Sequence, residues 1–318
     1  MANIAVIGCG HWGPNLIRNF SILKEARVIY VCDLDDTRLK YIQSIYPTIE
    51  ICRDYKKTLE DKKVDAVCIA TPANTHFEIA KEALLSGKHV LLEKPMTLSF
   101  KDARELVKTA KDRKRVLMVG NILEYNEIVK SLKKLISKGE LGKIFYINMT
   151  RANWGVFRKD TNVIWDLCPH DISILNYILG IGPIAVRAEA KYNLKEDIQD
   201  LAFIALYYPK ELIVHSYVSW LEPLKNRKII IVGSKKTAIF DDLDAKVPLK
   251  IYEKDILKKT YFLPKNAKEP LFTECRHFLD CLKYARKPQS DGESGLKIVK
   301  ILDTIQKSAN NGGKIVSL

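Results

Sequence analysis

The sequence predicts an α/β protein with an N-terminal doubly wound parallel sheet and a C-terminal α+β domain built on an open, mostly antiparallel sheet. Two observations carry this prediction. In the first 120 residues, short continuous apolar runs alternate with amphipathic stretches, as in βαβ units buried on both faces. After that point, successive runs alternate in period two, which is typical of antiparallel strands with one covered face. We therefore expect two domains, residues 1–120 and 121–318.

The apolar runs of the first domain read as parallel strands joined by right-handed crossover helices. The expected strands are Asn3–Ile7, Arg27–Cys32, Ala66–Ala70, His89–Leu92 and Val116–Val119. The expected helices, from apolar residues spaced three and four apart, are Pro14–Leu23, Asp36–Tyr46, His76–Leu85 and Phe100–Arg113.

The second domain follows a short hinge near residues 120–125. Its expected strands are Lys143–Ala152, Ile184–Tyr192, Leu201–Tyr208, Leu212–Trp220, Lys228–Gly233 and Thr237–Asp241. Its expected helices are Ile128–Ser137, Ile172–Leu179, Phe272–Arg286 and Gly295–Ser308. One face of this sheet should pack on the helices, which leaves the other face for an oligomer contact.

Bulk composition narrows the function classes. The formal net charge is +14 over 318 residues, but the lysines are scattered and no block of five or six like charges occurs, so we expect no nucleic-acid partner. No apolar run approaches the roughly 18–20 residues of a membrane span. Seven cysteines lie without C-x-x-C or zinc spacing, and their odd number argues against a secreted disulfide scaffold. We expect a cytoplasmic protein without membrane association or metal, whose positive field suits an anionic cofactor or substrate.

A glycine loop is the strongest motif in the chain. Gly8-Cys9-Gly10-His11-Trp12-Gly13 follows the first expected strand and opens the first expected helix. Gly8 would permit the tight turn, Gly10 the approach of backbone to a pyrophosphate, and Gly13 close packing of helix on strand. His11 and Trp12 lie between them, where they would touch the cofactor. The motif therefore predicts a Rossmann dinucleotide site, and a glycine turn that serves packing alone is the less favoured alternative.

An acidic residue stands where this motif requires one. Asp33 follows the second expected strand, 20 residues beyond Gly13, and can accept hydrogen bonds from the ribose hydroxyls while repelling a 2′-phosphate. Arg38 argues against exclusion of NADP, because an arginine there could bind that phosphate or stack on adenine. These residues favour NAD over NADP.

Two further segments end strands at the edge where doubly wound sheets bind ligands. Thr71-Pro72-Ala73-Asn74-Thr75-His76 supplies Thr71, Pro72, Asn74 and His76 as candidate cofactor contacts, although His76 could equally cap the next helix. Glu93-Lys94-Pro95 supplies Glu93 and Lys94. The Lys94 ammonium could stabilise a developing alkoxide, whereas a strand-end lysine is usually only solvated.

The second domain contributes Asp166-Leu167-Cys168-Pro169-His170-Asp171. In a helix, Asp166 and His170 share one face, and the aspartate can fix the tautomer of the histidine and make it a general base. A helix start with either residue as cap explains the pattern about as well. Pro169 suggests that the helix extends little upstream of it, so that Asp166 lies in the entry turn.

With the glycine loop, Glu93-Lys94-Pro95 and Asp166-x-x-x-His170 in this order, the chain resembles the Gfo/Idh/MocA family of sugar and polyol oxidoreductases over nearly its whole length. Thr71-Pro72-x-x-x-His76 and Glu274-x-x-x-Phe278 also match. The resemblance implies that Lys94 binds the reacting hydroxyl and that His170 and Asp166 complete the catalytic set, with His170 as proton acceptor. It also implies a Lys94-Pro95 peptide that is often cis, and a second domain that binds substrate and forms homodimers or homotetramers.

Finer features are similar to enzymes that oxidise C3 of UDP-N-acetylglucosamine-type sugars. They are Glu124-Tyr125-Asn126, Arg151-x-Asn153-x-Gly155 and Trp165–Ser173. This similarity suggests Tyr125, Arg151, Asn153, Asp166 and His170 as substrate-binding residues. The chain departs from the pattern by having Asn162-Val163-Ile164-Trp165 in place of a Gly-Gly pair, and Asn121 in place of a histidine.

These features together predict an NAD-dependent oxidoreductase that transfers a hydride between a sugar hydroxyl carbon and nicotinamide, with a nucleotide sugar as the preferred partner. Two alternatives stay open. One is an inositol or free-monosaccharide dehydrogenase. The other is a regulator that senses NAD(H) without catalysis.

Overall fold

The computed structural model describes residues 1–155, 157 and 160–318. They form two compact units. The first unit comprises residues 1–122 and 268–299, and the second comprises residues 123–267 and 300–318. The chain thus leaves the first unit two residues beyond the expected boundary at 120 and later returns to it for 32 residues, counting from 268 to 299.

The strands of the described residues are β1 (Ala2–Ile7), β2 (Ala26–Cys32), β3 (Glu50–Cys52), β4 (Ala66–Ile69), β5 (His89–Glu93), β6 (Leu117–Gly120), β7 (Ile144–Ala152), β8 (Ala185–Lys191), β9 (Leu201–Tyr207), β10 (Ile213–Ser219), β11 (Asn226–Gly233), β12 (Thr237–Asp241), β13 (Leu249–Glu253), β14 (Ile256–Tyr261) and β15 (Val316–Ser317). Their helices are α1 (Gly13–Ile22), α2 (Asp36–Ile45), α3 (Lys56–Glu60), α4 (His76–Leu85), α5 (Phe100–Asp112), α6 (Glu127–Ser137), α7 (Val163–Leu179), α8 (Pro270–Tyr284) and α9 (Gly292–Asn310).

The first unit is a parallel sheet in the order β3-β2-β1-β4-β5-β6, which confirms the predicted Rossmann architecture. All four residues of β4 and of β6 are buried, as expected of strands covered on both faces. Strand β3 was not predicted, because three residues without a continuous apolar run give no strand signal. Pairing of β3 with the end of β2 extends the sheet by one edge strand.

Helix α8 belongs to the first unit, although its sequence position suggested the second domain. Phe278 of α8 packs edge-on against Phe20 of α1, with ring centroids 6.4 Å apart, and both rings are fully buried. Hydrophobic periodicity predicts a buried helical face but does not say which partner covers it.

The second unit is built on a sheet in the order β14-β13-β12-β11-β7-β10-β9-β8-β15. Its pairs are antiparallel except for β10 with β7, so the predicted open, mostly antiparallel sheet is confirmed. Side chains alternate in burial along the central strands. On β7, Ile147 and Met149 are buried, while Tyr146 on the opposite face is 49% exposed. Helix α7 packs against β7, β9 and β10 on the covered side.

Helix α7 is longer than the sequence analysis expected. It begins at Val163, six residues upstream of Pro169, and continues through that proline to Leu179. The side chain of Asn162 caps it by accepting from the backbone N–H groups of Ile164 and Trp165 at 3.1 and 3.2 Å. Burial of most of its residues stabilises the helix despite the hydrogen bond that a proline cannot donate. The expected position of Asp166 in the first turn is confirmed.

Two of the cysteines form a disulfide that was not predicted. Cys32 at the end of β2 and Cys52 at the end of β3 are partners in the parallel register and form a disulfide. The cysteine spacing does not predict this pair, because the two residues become neighbours only through the unpredicted strand β3. Five other cysteines are free and buried. Among the described residues, no helix has the length and apolar character needed to cross a membrane.

Candidate cofactor and catalytic sites

The glycine loop lies between β1 and α1 and depends on glycine for steric reasons. Gly8 has φ +96°, a conformation that side chains with a Cβ rarely adopt, and a Cβ there would lie 2.7 Å from the Ala70 carbonyl. A Cβ on Gly13 would overlap the carbonyl oxygen of Gly8. The backbone N–H of Gly8 donates to the carbonyl of Cys32 at 2.7 Å. These contacts hold the turn tightly against the strand ends.

Gly10 differs from the other two glycines because the space beside it is open. A Cβ there would meet, within 4 Å in the described chain, only the Arg38 guanidinium at 3.6 Å. Helix α1 starts three residues later with Pro14 in its first positions, where a missing N–H costs nothing. The loop and the helix N-terminus therefore fit a pyrophosphate held by backbone N–H groups.

Asp33 is fixed by the loop that it serves. Its Oδ2 accepts from the Cys9 N–H at 2.6 Å, and its Oδ1 accepts from the Asp35 N–H at 2.9 Å. Each carboxylate oxygen has a second lone pair that suits a ribose hydroxyl. Arg38 lies beside it, 3.9 Å from Asp33 and 3.3 Å from Asp35. Two neighbouring carboxylates thus engage the guanidinium that could otherwise bind a 2′-phosphate, so the arrangement fits NAD.

The thiol inside the glycine loop takes no part in ionic chemistry. Burial, and secondarily the Asp33 carboxylate, raise the pKa of Cys9 to about 12. Burial likewise raises the pKa of Cys168, next to Pro169 on α7, well above its ordinary value. Because thiolates are the reactive form, both cysteines are inert packing residues near neutral pH.

His76 is placed differently from the cofactor contact that we expected. Its ring is 1% exposed and therefore offers almost no surface to a ligand. Nδ1 lies 2.8 Å from the Pro95 carbonyl and Nε2 lies 2.9 Å from the Thr71 carbonyl. Both partners are acceptors, so a neutral ring donates to one of them and an imidazolium to both. His76 thus ties the segment after β4 to the segment after β5, while Thr71, Pro72 and Asn74 reach the surface.

Glu93 and Lys94 stand where β5 ends. The Lys94-Pro95 peptide is cis, as the resemblance implied. The backbone N–H of Lys94 lies 3.3 Å from Oε2 of Glu93, and a Cβ on Gly120 would touch the same carboxylate at 3.3 Å. Gly120 at the end of β6 therefore leaves room for the Glu93 side chain. Both Glu93 and Lys94 are partly exposed at this edge of the sheet.

In the second unit, Asp166 and His170 lie on one face of α7, one turn apart. Both are partly exposed, whereas Leu167, Cys168 and Pro169 between them are buried. The spacing and the burial pattern turn the two polar side chains toward the same surface. This is the geometry in which a carboxylate can orient an imidazole.

Trp220 is a residue that the sequence analysis missed. It follows β10, and its indole Nε1–H donates to Oδ2 of Asp166 at 3.2 Å. The ring is 1% exposed. Its sequence context gives only one signal, its position at the end of an expected strand. That signal is weak, because an aromatic residue in such a position is ordinarily part of the core.

The two strand residues suggested for substrate binding have different surroundings. Arg151 on β7 is buried and forms an ion pair with Asp171 of α7 at 2.7 Å, and Ser216 donates to the same carboxylate at 3.2 Å. Its guanidinium thus has a structural partner on the covered side of the sheet. Asn153 is half-buried and its N–H donates to the Ser219 carbonyl at 3.1 Å. Tyr125 is 3% exposed. Contact of these residues with substrate stays a prediction.

Comparison with known proteins identifies the class. Residues 2–121 match the profile of the oxidoreductase family with an NAD-binding Rossmann fold, and residues 129–239 match the GFO/IDH/MocA C-terminal domain. The chain belongs to the Gfo/Idh/MocA oxidoreductase family. Its first unit is an NAD-binding Rossmann domain.

Individual relatives lie in several branches of this family. Myo-inositol 2-dehydrogenase of Thermotoga maritima is 23% identical over 92% of this chain and 91% of its own length. UDP-N-acetylglucosamine 3-dehydrogenase of Acidithiobacillus ferrooxidans is 31% identical over 58% of this chain and 56% of its own. The aldose-aldose oxidoreductase of Caulobacter crescentus shares the fold, with a TM-score of 0.90, 19% identity and coverage of 100% and 99% of the two chains.

Proposed function

We propose that this protein catalyses reversible hydride transfer between a hydroxyl-bearing carbon of a sugar and NAD, with a nucleotide sugar as substrate. Bound NAD supplies the hydride acceptor. In the oxidation direction, His170 takes the hydroxyl proton as general base, and Asp166 fixes its tautomer. Lys94 donates a hydrogen bond to the same oxygen and stabilises its developing negative charge.

The observation that carries this proposal is the pairing of Asp166 and His170 on α7. The residues between them are buried, so the helix turns a carboxylate and an imidazole, one turn apart, toward the same partly exposed surface. Asn162 caps the start of α7, so neither Asp166 nor His170 serves as its N-cap. Membership of the family supports the proposal further, because it implies an NAD site and a catalytic role for Lys94, the lysine that follows β5.

The choice of a nucleotide sugar rests on the segments Glu124-Tyr125-Asn126 and Arg151-x-Asn153-x-Gly155 and on the UDP-N-acetylglucosamine 3-dehydrogenase relative. Free inositol is the second candidate, since the myo-inositol 2-dehydrogenase relative aligns over nearly the whole chain. Both substrates carry a secondary alcohol, so the same three residues would serve either one.

The test is reduction of NAD by the purified protein with a panel of UDP-sugars, inositols and free monosaccharides. We expect turnover with a UDP-sugar and lower kcat/KM with every inositol. Preference for an inositol would replace the first candidate with the second. Binding of NAD(H) without turnover across the panel would instead support a sensor of the cofactor.

We also propose that the protein forms homodimers or homotetramers through the outward face of the sheet in the second unit. Phe203 and Tyr217 stack there with centroids 5.1 Å apart, and Tyr146 and Ile213 on the same face are 49% and 45% exposed. Exposed apolar side chains on neighbouring strands are typical of an interface. Light scattering should give the mass of a dimer or tetramer, and Phe203→Glu should lower it, whereas a monomeric wild-type chain would refute this assembly.

For location we propose the cytoplasm. Five of the seven cysteines are free, as in a chain kept in a reducing compartment, whereas the Cys32–Cys52 disulfide is the observation that weighs against this location. Localisation of a tagged chain in its own cells would test this, and export of the chain would overturn it.

A further inference from the structure

The loop after β10 holds the carboxylate of Asp166 from a side that the sequence pattern does not reveal. The indole Nε1–H of Trp220 donates to Oδ2 of Asp166 at 3.2 Å. We propose that Trp220 is a positioning residue, which fixes the Asp166 carboxylate so that it can orient His170. This inference rests on the proposed function, in which Asp166 and His170 act in proton transfer.

Trp220 is itself held firmly. Its backbone N–H donates to the Asp200 carbonyl at 2.9 Å, and its carbonyl accepts from the Gly155 N–H at 3.4 Å. The ring of Phe157 meets it edge-on, with centroids 6.0 Å apart. With 1% of its surface exposed, the indole has little freedom to turn away from Asp166.

Gly155 keeps space beside this indole. A Cβ at that position would lie 3.4 Å from Cδ1 of Trp220 and 2.7 Å from Nδ2 of Asn153. A larger residue would have to displace the Asn153 amide, whereas its contact with the indole would have an ordinary van der Waals length. The glycine of Arg151-x-Asn153-x-Gly155 therefore leaves room for the end of the Asn153 side chain beside the Trp220 ring.

The chemistry of the pair favours orientation of an ionised carboxylate. An indole N–H donates and cannot accept, so it matches a carboxylate oxygen and stabilises its charged form. A fixed Oδ2 restricts rotation of the Asp166 side chain on the partly exposed face of α7. Catalytic geometry is sensitive to such restriction, because displacement by about 1 Å can cost about 100-fold in rate.

The test is a double-mutant cycle measured as kcat. Trp220→Phe keeps an aromatic ring and removes the N–H donor, and we expect it to lower kcat about tenfold. In an Asp166→Ala background, the same substitution should change kcat by less than about twofold, because its target is gone. Tyr208→Phe is the matched control, since it removes one polar group from another buried aromatic residue of the second unit. An equal fall of kcat with and without Asp166 would overturn the proposal.

A readout independent of turnover separates this inference from the proposed function. The chain has four tryptophans, so ¹⁵N-labelled indole gives a simple spectrum in which Trp220→Phe assigns the Trp220 signal. We expect Asp166→Ala to move that Nε1–H signal upfield and Tyr208→Phe to leave it unchanged. An unchanged signal in Asp166→Ala would show that the proposed hydrogen bond does not form. A moved signal in a protein that oxidises no sugar would support the contact and count against the proposed function.

Discussion

The two units differ in the groups on which their predicted functions depend. In the first unit, binding depends on the main chain. Gly8, Gly10 and Gly13 shape a turn, and Asp33 is held by two backbone N–H groups. In the second unit, the proposed catalysis depends on side chains. Asp166 and His170 stand on one helix, and the carboxylate is held by an indole from a distant loop.

This difference explains which residues a sequence can reveal. A backbone turn needs glycines at fixed spacing, so the chain records it within six residues. A side-chain constellation needs only that its members meet in space, and Trp220 lies 54 residues from Asp166. The first unit should therefore tolerate loss of the Lys94 side chain without loss of NAD binding, whereas its turn should not tolerate added bulk.

The largest effect is expected from Lys94→Ala. Removal of the ammonium that we propose to bind the reacting oxygen should lower kcat about 1000-fold, within the range found for positioned catalytic groups. The dissociation constant of NAD should change by less than about threefold, because the glycine loop and Asp33 remain intact. Steady-state kinetics and a fluorescence titration with NADH measure the two quantities.

Lys101→Ala serves as its control, because Lys101 is an exposed lysine of α5 in the same unit. It should leave both quantities near wild type. If Lys94→Ala retained near wild-type kcat, the assigned role of Lys94 would be wrong, and a large loss of NAD affinity would mean that cofactor binding and catalysis are not separable in this unit.

The next effect concerns the turn. Gly8→Ala introduces a Cβ 2.7 Å from the Ala70 carbonyl at φ +96°, so we expect about 1–3 kcal/mol of strain and NAD affinity reduced about tenfold or more. Gly182→Ala is the matched control, since a Cβ there would meet no described atom within 4 Å. Calorimetric titration with NAD measures the effect. Equal NAD affinities for the two variants would contradict the steric argument.

The sequence predicted most of the fold because its signals are local. Alternation and helical periodicity predicted the two sheets, and the glycine loop with Asp33 predicted an NAD-binding Rossmann domain. The misses have a physical pattern. Strand β3 is too short to show periodicity, and Pro169 stays within α7 because tertiary burial outweighs one missing hydrogen bond. The contacts of His76 join residues 5 and 19 positions away, which neither spacing nor composition records.

His76 combines the two kinds of dependence, because its side chain holds two backbone segments of the first unit, those after β4 and β5. His76→Asn shortens the side chain, so the carbonyls of Thr71 and Pro95 cannot both keep their partner. We expect kcat to fall about tenfold through displacement of the Lys94-Pro95 segment, with a smaller change in the KM for NAD. Lys101→Ala on an exposed position of α5 is again the control. Unchanged kcat in His76→Asn would limit His76 to packing.

The smallest effect is a pH dependence confined to the first unit. Burial, and secondarily the Arg115 guanidinium, lower the pKa of His89. Its Nδ1 accepts from the Val116 N–H at 2.9 Å, which requires the neutral ring and links the start of β5 to the approach to β6. A histidine with a lowered pKa in the folded state takes up protons preferentially on unfolding. The stability it provides is therefore complete above its unfolded pKa of about 6.5 and is lost progressively as the pH falls below that value.

We accordingly expect the first unit to lose unfolding free energy through His89 as the pH falls from 7 to 5, while the second unit lacks this contribution. Calorimetry at the two pH values measures the loss. His89→Asn keeps an acceptor for the Val116 N–H but does not titrate, so it should flatten the dependence. If the acid loss were identical in His89→Asn, other groups would carry it. A loss confined to the second unit would reverse the comparison, since its side-chain network would then be the acid-sensitive part of the molecule.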